Sequence, residues 1–250
     1  MEKINILGVN ITAASKKQIL EYLAKEIKKS KSKIKIFTPN PEIIAYASKH
    51  VDFKTALNQA QISIPDGVGV AVGAWMMGGG RLERIAGVDL MEDIVKSASE
   101  GQISVSNQPV VIGFLGGLGS VAEEAAECLQ KKYKNINIGY ASAVWDKSKM
   151  IHSDIDILFV AYGFPKQEEW INENFDKIPA KIAMGVGGSF DFIAGRVPRA
   201  PKIVRVIGFE WLFRLIVQPW RWKRQLQLLD FTRLILKEAL VYRFNFVKNR

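Results

Sequence analysis

An aspartate in the turn Pro65-Asp66-Gly67, a threonine and an asparagine in Thr38-Pro39-Asn40-Pro41-Glu42, and a glutamine in Gly163-Phe164-Pro165-Lys166-Gln167 are the side chains best suited to chemistry in this sequence. Asp66 is either a cap of the kind turn aspartates often make or a general base facing a substrate hydroxyl. Thr38 and Asn40 offer neighbouring hydrogen-bonding groups for a sugar; the alternative, stronger for Asn40, is to cap a helix opened by Pro41. Gln167 either bonds a sugar or phosphate or is a solvated residue of a first helical turn. In Gly116-Gly117-Leu118-Gly119-Ser120, backbone N–H groups either cradle a phosphate or only make a tight turn. Gly185-Val186-Gly187-Gly188-Ser189, followed by Asp191, is the better candidate, because three glycines so close let a backbone approach a flat base or a pyrophosphate.

The elements that must carry these loops are readable from periodicity. Lys33–Phe37, Ile62–Ile64, Val110–Leu115, Ile136–Tyr140, Ile157–Ala161 and Lys181–Met184 are short β-rich runs. Lys16–Ile27 repeats apolar residues at Ile19, Leu20, Leu23 and Ile27, one face of a helix, and further helices are expected from Pro41, over Ser120–Tyr133 and over Lys166–Phe175. Strand–helix alternation predicts an α/β fold: a largely parallel, Rossmann-like sheet with helices on both faces. Ile4–Ile11 reads as an edge hairpin. Ligands of such sheets bind at the carboxyl ends of the strands, which is where all five loops fall. Asp154-Ile155-Asp156 has the form of an Asp-x-Asp metal motif, but it precedes its strand and is assigned to the opposite edge. His50, His152 and Cys128 have no ligand spacing, so no metal site is expected. Cys128 falls in the apolar pattern of Val121, Ala122, Ala125 and Leu129 and is read as a core residue.

The alternation stops after Gly195, giving two expected units: residues 1–195, a catalytic α/β domain, and residues 196–250, a helical appendage. The appendage is read as one helix running to about Val217 and a second from Trp220 to about Phe244. From 196 to 250 there are 13 Lys+Arg and 3 Asp+Glu, which leaves 22 of each sign in residues 1–195 and puts the entire net charge of +10 in the tail. Nine aromatic residues are interleaved with that charge. Such a segment suits an anionic, partly apolar surface, so a peripheral membrane contact is expected. Arg221 and Arg224 are three apart, on one helix face, and with Arg214 they either clamp a diphosphate through forked hydrogen bonds or serve lipid headgroups.

A hydrophobic share of 48% gives the chain a real core, and its single cysteine excludes an internal disulfide framework and fits a reducing compartment. No secretory signal or uninterrupted spanning segment is seen, so a cytoplasmic location at the inner face of the membrane is expected. Nucleic-acid binding by the tail is disfavoured, because its aromatics follow helical, core-like spacing and five loops would stay unexplained. A dinucleotide-dependent oxidoreductase is disfavoured by the absence of Gly-x-Gly-x-x-Gly spacing at 116–119. Apolar residues near Ile43, Ala47 and in the tail, read as exposed, leave self-association open.

Taken together, TPNPE (38–42), PDGVGV (65–70), GFPKQEEW (163–170), GVGGSFDFIAGRVPRAP (185–201), FEWLFRL (209–215) and QPWRWKRQ (218–225) resemble the WecG/TagA/CpsF glycosyltransferase family over essentially the whole chain. Phe209 stands where leucine is expected, and Trp220 and Trp222 flank Arg221 where relatives often carry a shorter basic run. The resemblance implies an inverting transfer, without metal or other cofactor, from a UDP-sugar donor to a polyprenyl-diphosphate-linked sugar acceptor. In the TagA branch this is N-acetylmannosamine passing to undecaprenyl-diphosphate-N-acetylglucosamine in β-1,4 linkage, an early step of wall teichoic acid synthesis. It implies Asp66 as the base, Thr38 and Asn40 as sugar-holding residues, and Gln167 beside the donor. Arg84, after the glycine run 78–80, is a further candidate for the cleft. Loss of UDP puts negative charge on a diphosphate, and residues 1–195 hold only Arg81 and Arg84, so the tail is expected to supply the missing cations.

Overall fold

The computed structural model describes residues 1–29, 31–105 and 108–248; near the C-terminus the side chains of residues 221, 223–225, 243 and 245–248 lie outside that description. The strands are β1 (Lys3–Ile6), β2 (Val9–Thr12), β3 (Ile34–Phe37), β4 (Ile62–Ser63), β5 (Val110–Gly116), β6 (Ile136–Ser142), β7 (Ile157–Ala161) and β8 (Ile182–Gly185). The helices are α1 (Lys16–Glu26), α2 (Pro41–Lys49), α3 (Val51–Asn58), α4 (Val68–Met76), α5 (Gly87–Ser99), α6 (Val121–Lys132), α7 (Lys147–Ile151), α8 (Lys166–Asn174), α9 (Ser189–Ile193), α10 (Lys202–Val206), α11 (Glu210–Val217) and α12 (Trp222–Lys248). Six strands form one parallel sheet in the order β4-β3-β8-β7-β5-β6. The fold class expected from the strand–helix alternation is the one observed.

Side-chain alternation along the strands explains the layers. Ile157 and Phe159 of β7 point into one core with α1, α5 and α6, whereas Leu158 and Val160 point into the other with α2, α3, α4 and α8. Both faces of the sheet are covered, as a parallel sheet requires. β1 and β2 do form a hairpin, but it is a separate two-stranded sheet rather than an edge of the main one. The Thr12 hydroxyl stitches it to the sheet by accepting from the Ser63 N–H at 2.9 Å.

The tail departs from expectation in three ways. First, its leading helix is broken into α10 and α11 at Gly208, whose φ of +84° favours glycine and cannot continue a helix. Second, α12 returns to the body: Phe231 and Ile235 join the core that includes α2 and α4, and Ala239, four residues further on, is buried as well. Ile43 and Ala47, read as exposed, are therefore buried, because α12 and the sheet enclose α2. Third, α4 accepts this packing through small residues. A Cβ on Gly73 would lie 3.0 Å from Ile235 Cδ1, and one on Gly69 would lie 2.8 Å from Pro41 Cγ. Among the described residues, no helix is long and apolar enough to cross a membrane.

Cys128 is exposed, not core. On α6 the buried side is centred between Ala125 and Leu129, and Cys128 lies roughly a quarter turn away from that centre.

Candidate active site

All five expected loops meet at the carboxyl edge of the sheet, around a cavity of about 990 Å³ that α11 and α12 help to wall. Thr38, Asn40, Asp66, Arg84, Gly117, Gln167, Gly187, Gly188, Asp191 and Arg214 all line it. Leu228, Leu229 and Leu236 of α12, with Val72 of α4, line an apolar portion. The cavity is thus polar where the strands end and greasy where the tail crosses the body.

Asp66 sits between β4 and α4, its N–H bonded to the Pro39 carbonyl at 3.2 Å, which ties its turn to the loop after β3. Burial pushes its carboxyl up to about 6, and Glu210 adds to that; Arg84, Arg214 and a hydrogen bond from the Gly87 N–H at the start of α5 act in the other direction. A carboxyl at this setting is an effective proton acceptor near neutral pH.

Asn40 caps α2, its Oδ1 accepting from the Ile43 N–H at 2.9 Å, while it lines the cavity. Thr38 is buried, with its hydroxyl 3.5 Å from the Gly185 carbonyl across the β3–β8 join. The Gln167 side chain is committed within the protein: Oε1 accepts from the Gly187 N–H at 2.9 Å and Nε2 donates to Glu168 Oε1 at 2.9 Å. Glu168 is fully buried, and burial pushes its carboxyl up to about 7. Gln167 therefore fixes the shape of the glycine loop after β8, a role its identity in the sequence did not disclose.

Gly116 and Gly185 do not line the cavity. A Cβ on Gly116 would come within 2.8 Å of the Ala161 carbonyl carbon, so its glycine serves the β5–β7 junction. At Gly185 it would lie 3.0 Å from Gln167 Nε2, so that glycine makes room for Gln167. Gly187 faces open space, whereas a Cβ on Gly188 would lie 3.1 Å from Arg214 Nη2, whose guanidinium lies 4.7 Å from the Phe192 ring centroid. The side chains of Arg221 and Arg224 lie outside the described residues. Asp156 belongs to the amino edge, as its position before β7 predicted: its Oδ2 accepts from the Val111 N–H at 2.9 Å, locking the starts of β5 and β7.

Sequence reasoning missed an ionic network that joins tail and body beneath Asp66. Arg84 donates to the Arg205 carbonyl and, at 3.1 Å, to Glu210 Oε2. Glu210 Oε1 lies 3.7 Å from Arg199 Nε, and Arg199 Nη1 lies 2.6 Å from Asp89 Oδ1. Burial pushes the Asp89 carboxyl up, but the Arg199 bond and charge outweigh it and hold it below its ordinary value. The available signal was that Glu210 is the lone acid between Arg196 and Gln218, four residues before Arg214.

A parallel sheet with a cleft at its carboxyl edge, a carboxylate in that cleft set near neutrality and a cation brought in by a C-terminal helix define an α/β enzyme of the group-transfer type. The profile of the Glycosyl transferase WecG/TagA/CpsF family matches residues 4–245. The N-acetylglucosaminyldiphosphoundecaprenol N-acetyl-beta-D-mannosaminyltransferase of Staphylococcus aureus strain MRSA252 is 34% identical over 229 residues, which cover 89% of this chain and 86% of that protein. Proteins of the same name from strains NCTC 8325 / PS 47 and COL match with the same identity and coverage. The chain belongs to the WecG/TagA/CpsF family and is a glycosyltransferase.

Proposed function

We propose that the protein transfers N-acetylmannosamine, with inversion, from UDP-N-acetylmannosamine to the N-acetylglucosamine of a polyprenyl-diphosphate acceptor, forming the β-1,4 disaccharide that primes wall teichoic acid. The observation that carries this reading is one cavity that holds a half-buried carboxylate set at about 6, a tail arginine beside a glycine loop, and an apolar wall. The relatives' name supplies the acceptor class, a sugar on a diphosphate-linked polyprenol.

In this mechanism Asp66 removes the proton of the acceptor hydroxyl as its oxygen attacks the anomeric carbon. The bond from that carbon to the diphosphate breaks, and its electron pair leaves on UDP. One carboxylate suffices, since no covalent sugar intermediate is formed. Arg214 meets the developing charge on the diphosphate beside the glycine loop after β8, which lets the ligand approach the backbone closely. Protein cations carry this charge without a metal. The apolar wall suits the first isoprene units, and the basic tail seats the enzyme on the cytoplasmic face of the membrane. Exposed Val68, Val72 and Trp75 of α4 extend that surface, since Gly208 packs directly on Val68 and brings Ile207 and Phe209 alongside.

The test is product analysis with a panel of UDP-sugars and a short-chain lipid-diphosphate-N-acetylglucosamine acceptor. Transfer of N-acetylmannosamine with β configuration is expected. Transfer from a different UDP-sugar alone replaces the donor, and no transfer from any of them overturns the reading.

A further inference from the structure

Glu210 opens α11 and is turned inward, with a side chain 14% exposed, although it belongs to a tail carrying 13 cations. Its two oxygens reach Arg84 and Arg199. Arg84 is gripped a second time by the tail through the Arg205 carbonyl at the end of α10. This matters because Arg84 also stands near Asp66: the Ile85 N–H donates to the Pro65 carbonyl at 3.2 Å, and Arg84 and Asp66 line the same cavity. The groups acting on Asp66 are Glu210 and Arg214 from α11, Arg84 from the segment between α4 and α5, and the Gly87 N–H from α5. Of these, Glu210 alone opposes ionisation, and it does so from the position that also holds the Arg84 guanidinium.

Two carboxylates thus compete for one guanidinium. An arginine free to turn toward a buried carboxylate pairs with it through charge-assisted hydrogen bonds, and a paired carboxylate is a weaker base. We propose that Glu210 is a positioning residue: by holding Arg84 it keeps Asp66 out of an ion pair, so that the base is competent only while the tail is seated on the body. A chain whose tail is displaced leaves Arg84 to quench Asp66. The inference rests on the reading of Asp66 as the base and adds a residue and a form of control to it.

The experiment is the pH dependence of kcat with a soluble short-chain acceptor for the wild type, Glu210→Gln, Glu210→Asp and the double variant Glu210→Gln/Arg84→Gln, with Asp66→Asn as control. Glu210→Gln is expected to move the acid limb down by roughly one pH unit and to lower the plateau about tenfold. Glu210→Asp, which keeps the charge, is expected to hold the limb near its wild-type position, and this reading stands even if the glutamine variant fails to fold. Adding Arg84→Gln to Glu210→Gln is expected to bring the limb back up, although the plateau stays low because Arg84 lines the cleft. A Glu210→Gln enzyme that loses rate with its limb unmoved overturns the proposal, as does a double variant whose limb stays with that of the single one. If Asp66→Asn retains turnover, the base assignment itself fails. If Asp66→Asn is inactive while the Glu210→Gln limb does not move, only the inference fails.

Discussion

Asp66 meets burial and the Glu210 charge on one side and Arg84, Arg214 and the Gly87 N–H on the other, and the balance leaves its carboxyl at about 6 instead of near 4. As the proposed base Asp66 must be ionised to act, so turnover is expected to fall as pH drops through about 6 and to be flat above it; an acid limb near pH 4 in the kcat profile would show that this carboxyl is not the one being titrated. Glu168 gives a stability prediction at the same scale. Its folded value of about 7 lies above its unfolded one, so between about pH 4.5 and 7 the native state binds a proton that the unfolded state releases. This contribution to stability is present below the unfolded value and is lost as pH rises through about 7. Glu168→Gln is therefore expected to flatten the decline in Tm between pH 5 and pH 8 in thermal melts, and an unchanged slope counts against a buried, protonated Glu168. Asn40 and Asp66 were legible as residues because turn chemistry at strand ends is written in Thr-Pro-Asn-Pro-Glu and Pro-Asp-Gly. What Gln167 does was not, because its partners, Gly187 and Glu168, are set by how α8 lies against the loop after β8.

The elements divide by how local their causes are. The six strands and the helices α1, α2, α6 and α8 follow from periodicity within their own segments, and the sequence displayed them. Helix α4 was hidden: Val-Gly-Val-Ala-Val-Gly places glycines and β-branched residues where helix propensity is poor. Its glycines are explained only by α2 and α12 approaching over them, which is tertiary information. Gly73→Val tests this. The added side chain meets Ile235 and Phe231, so α12 is expected to be pushed from α4, with a loss of about 1–3 kcal/mol in denaturant melts and faster proteolysis of the tail. Wild-type stability and tail protection in this variant would mean that α12 does not pack there. The break at Gly208 and the exposure of Cys128 were likewise invisible to patterns that count apolar residues without fixing a helix's rotation or its end.

At the scale of the whole molecule, the charge asymmetry was plain from composition, but its architecture was not. The tail is not an appendage set apart from a finished enzyme: α12 contributes to the core, α10 and α11 hold Arg84 and Arg199, and Arg214 enters the cleft. What remains outward is apolar and basic. Ile203, Val206 and Ile207 of α10 and its connection are exposed, beside Lys202 and next to Val68 of α4. A Val206→Glu/Ile207→Glu variant is expected to lose flotation with anionic phospholipid vesicles while keeping its rate on a soluble acceptor; undiminished flotation would count against lipid binding by this surface. The central claim, that one body carboxylate serves as the base in a cavity completed by the tail, meets its most direct test in Asp66→Asn, with turnover and donor affinity measured on the same preparation. The account predicts a fall in kcat of roughly 10²–10⁴-fold with UDP-sugar affinity nearly unchanged. Turnover within a few-fold of the wild type would contradict it.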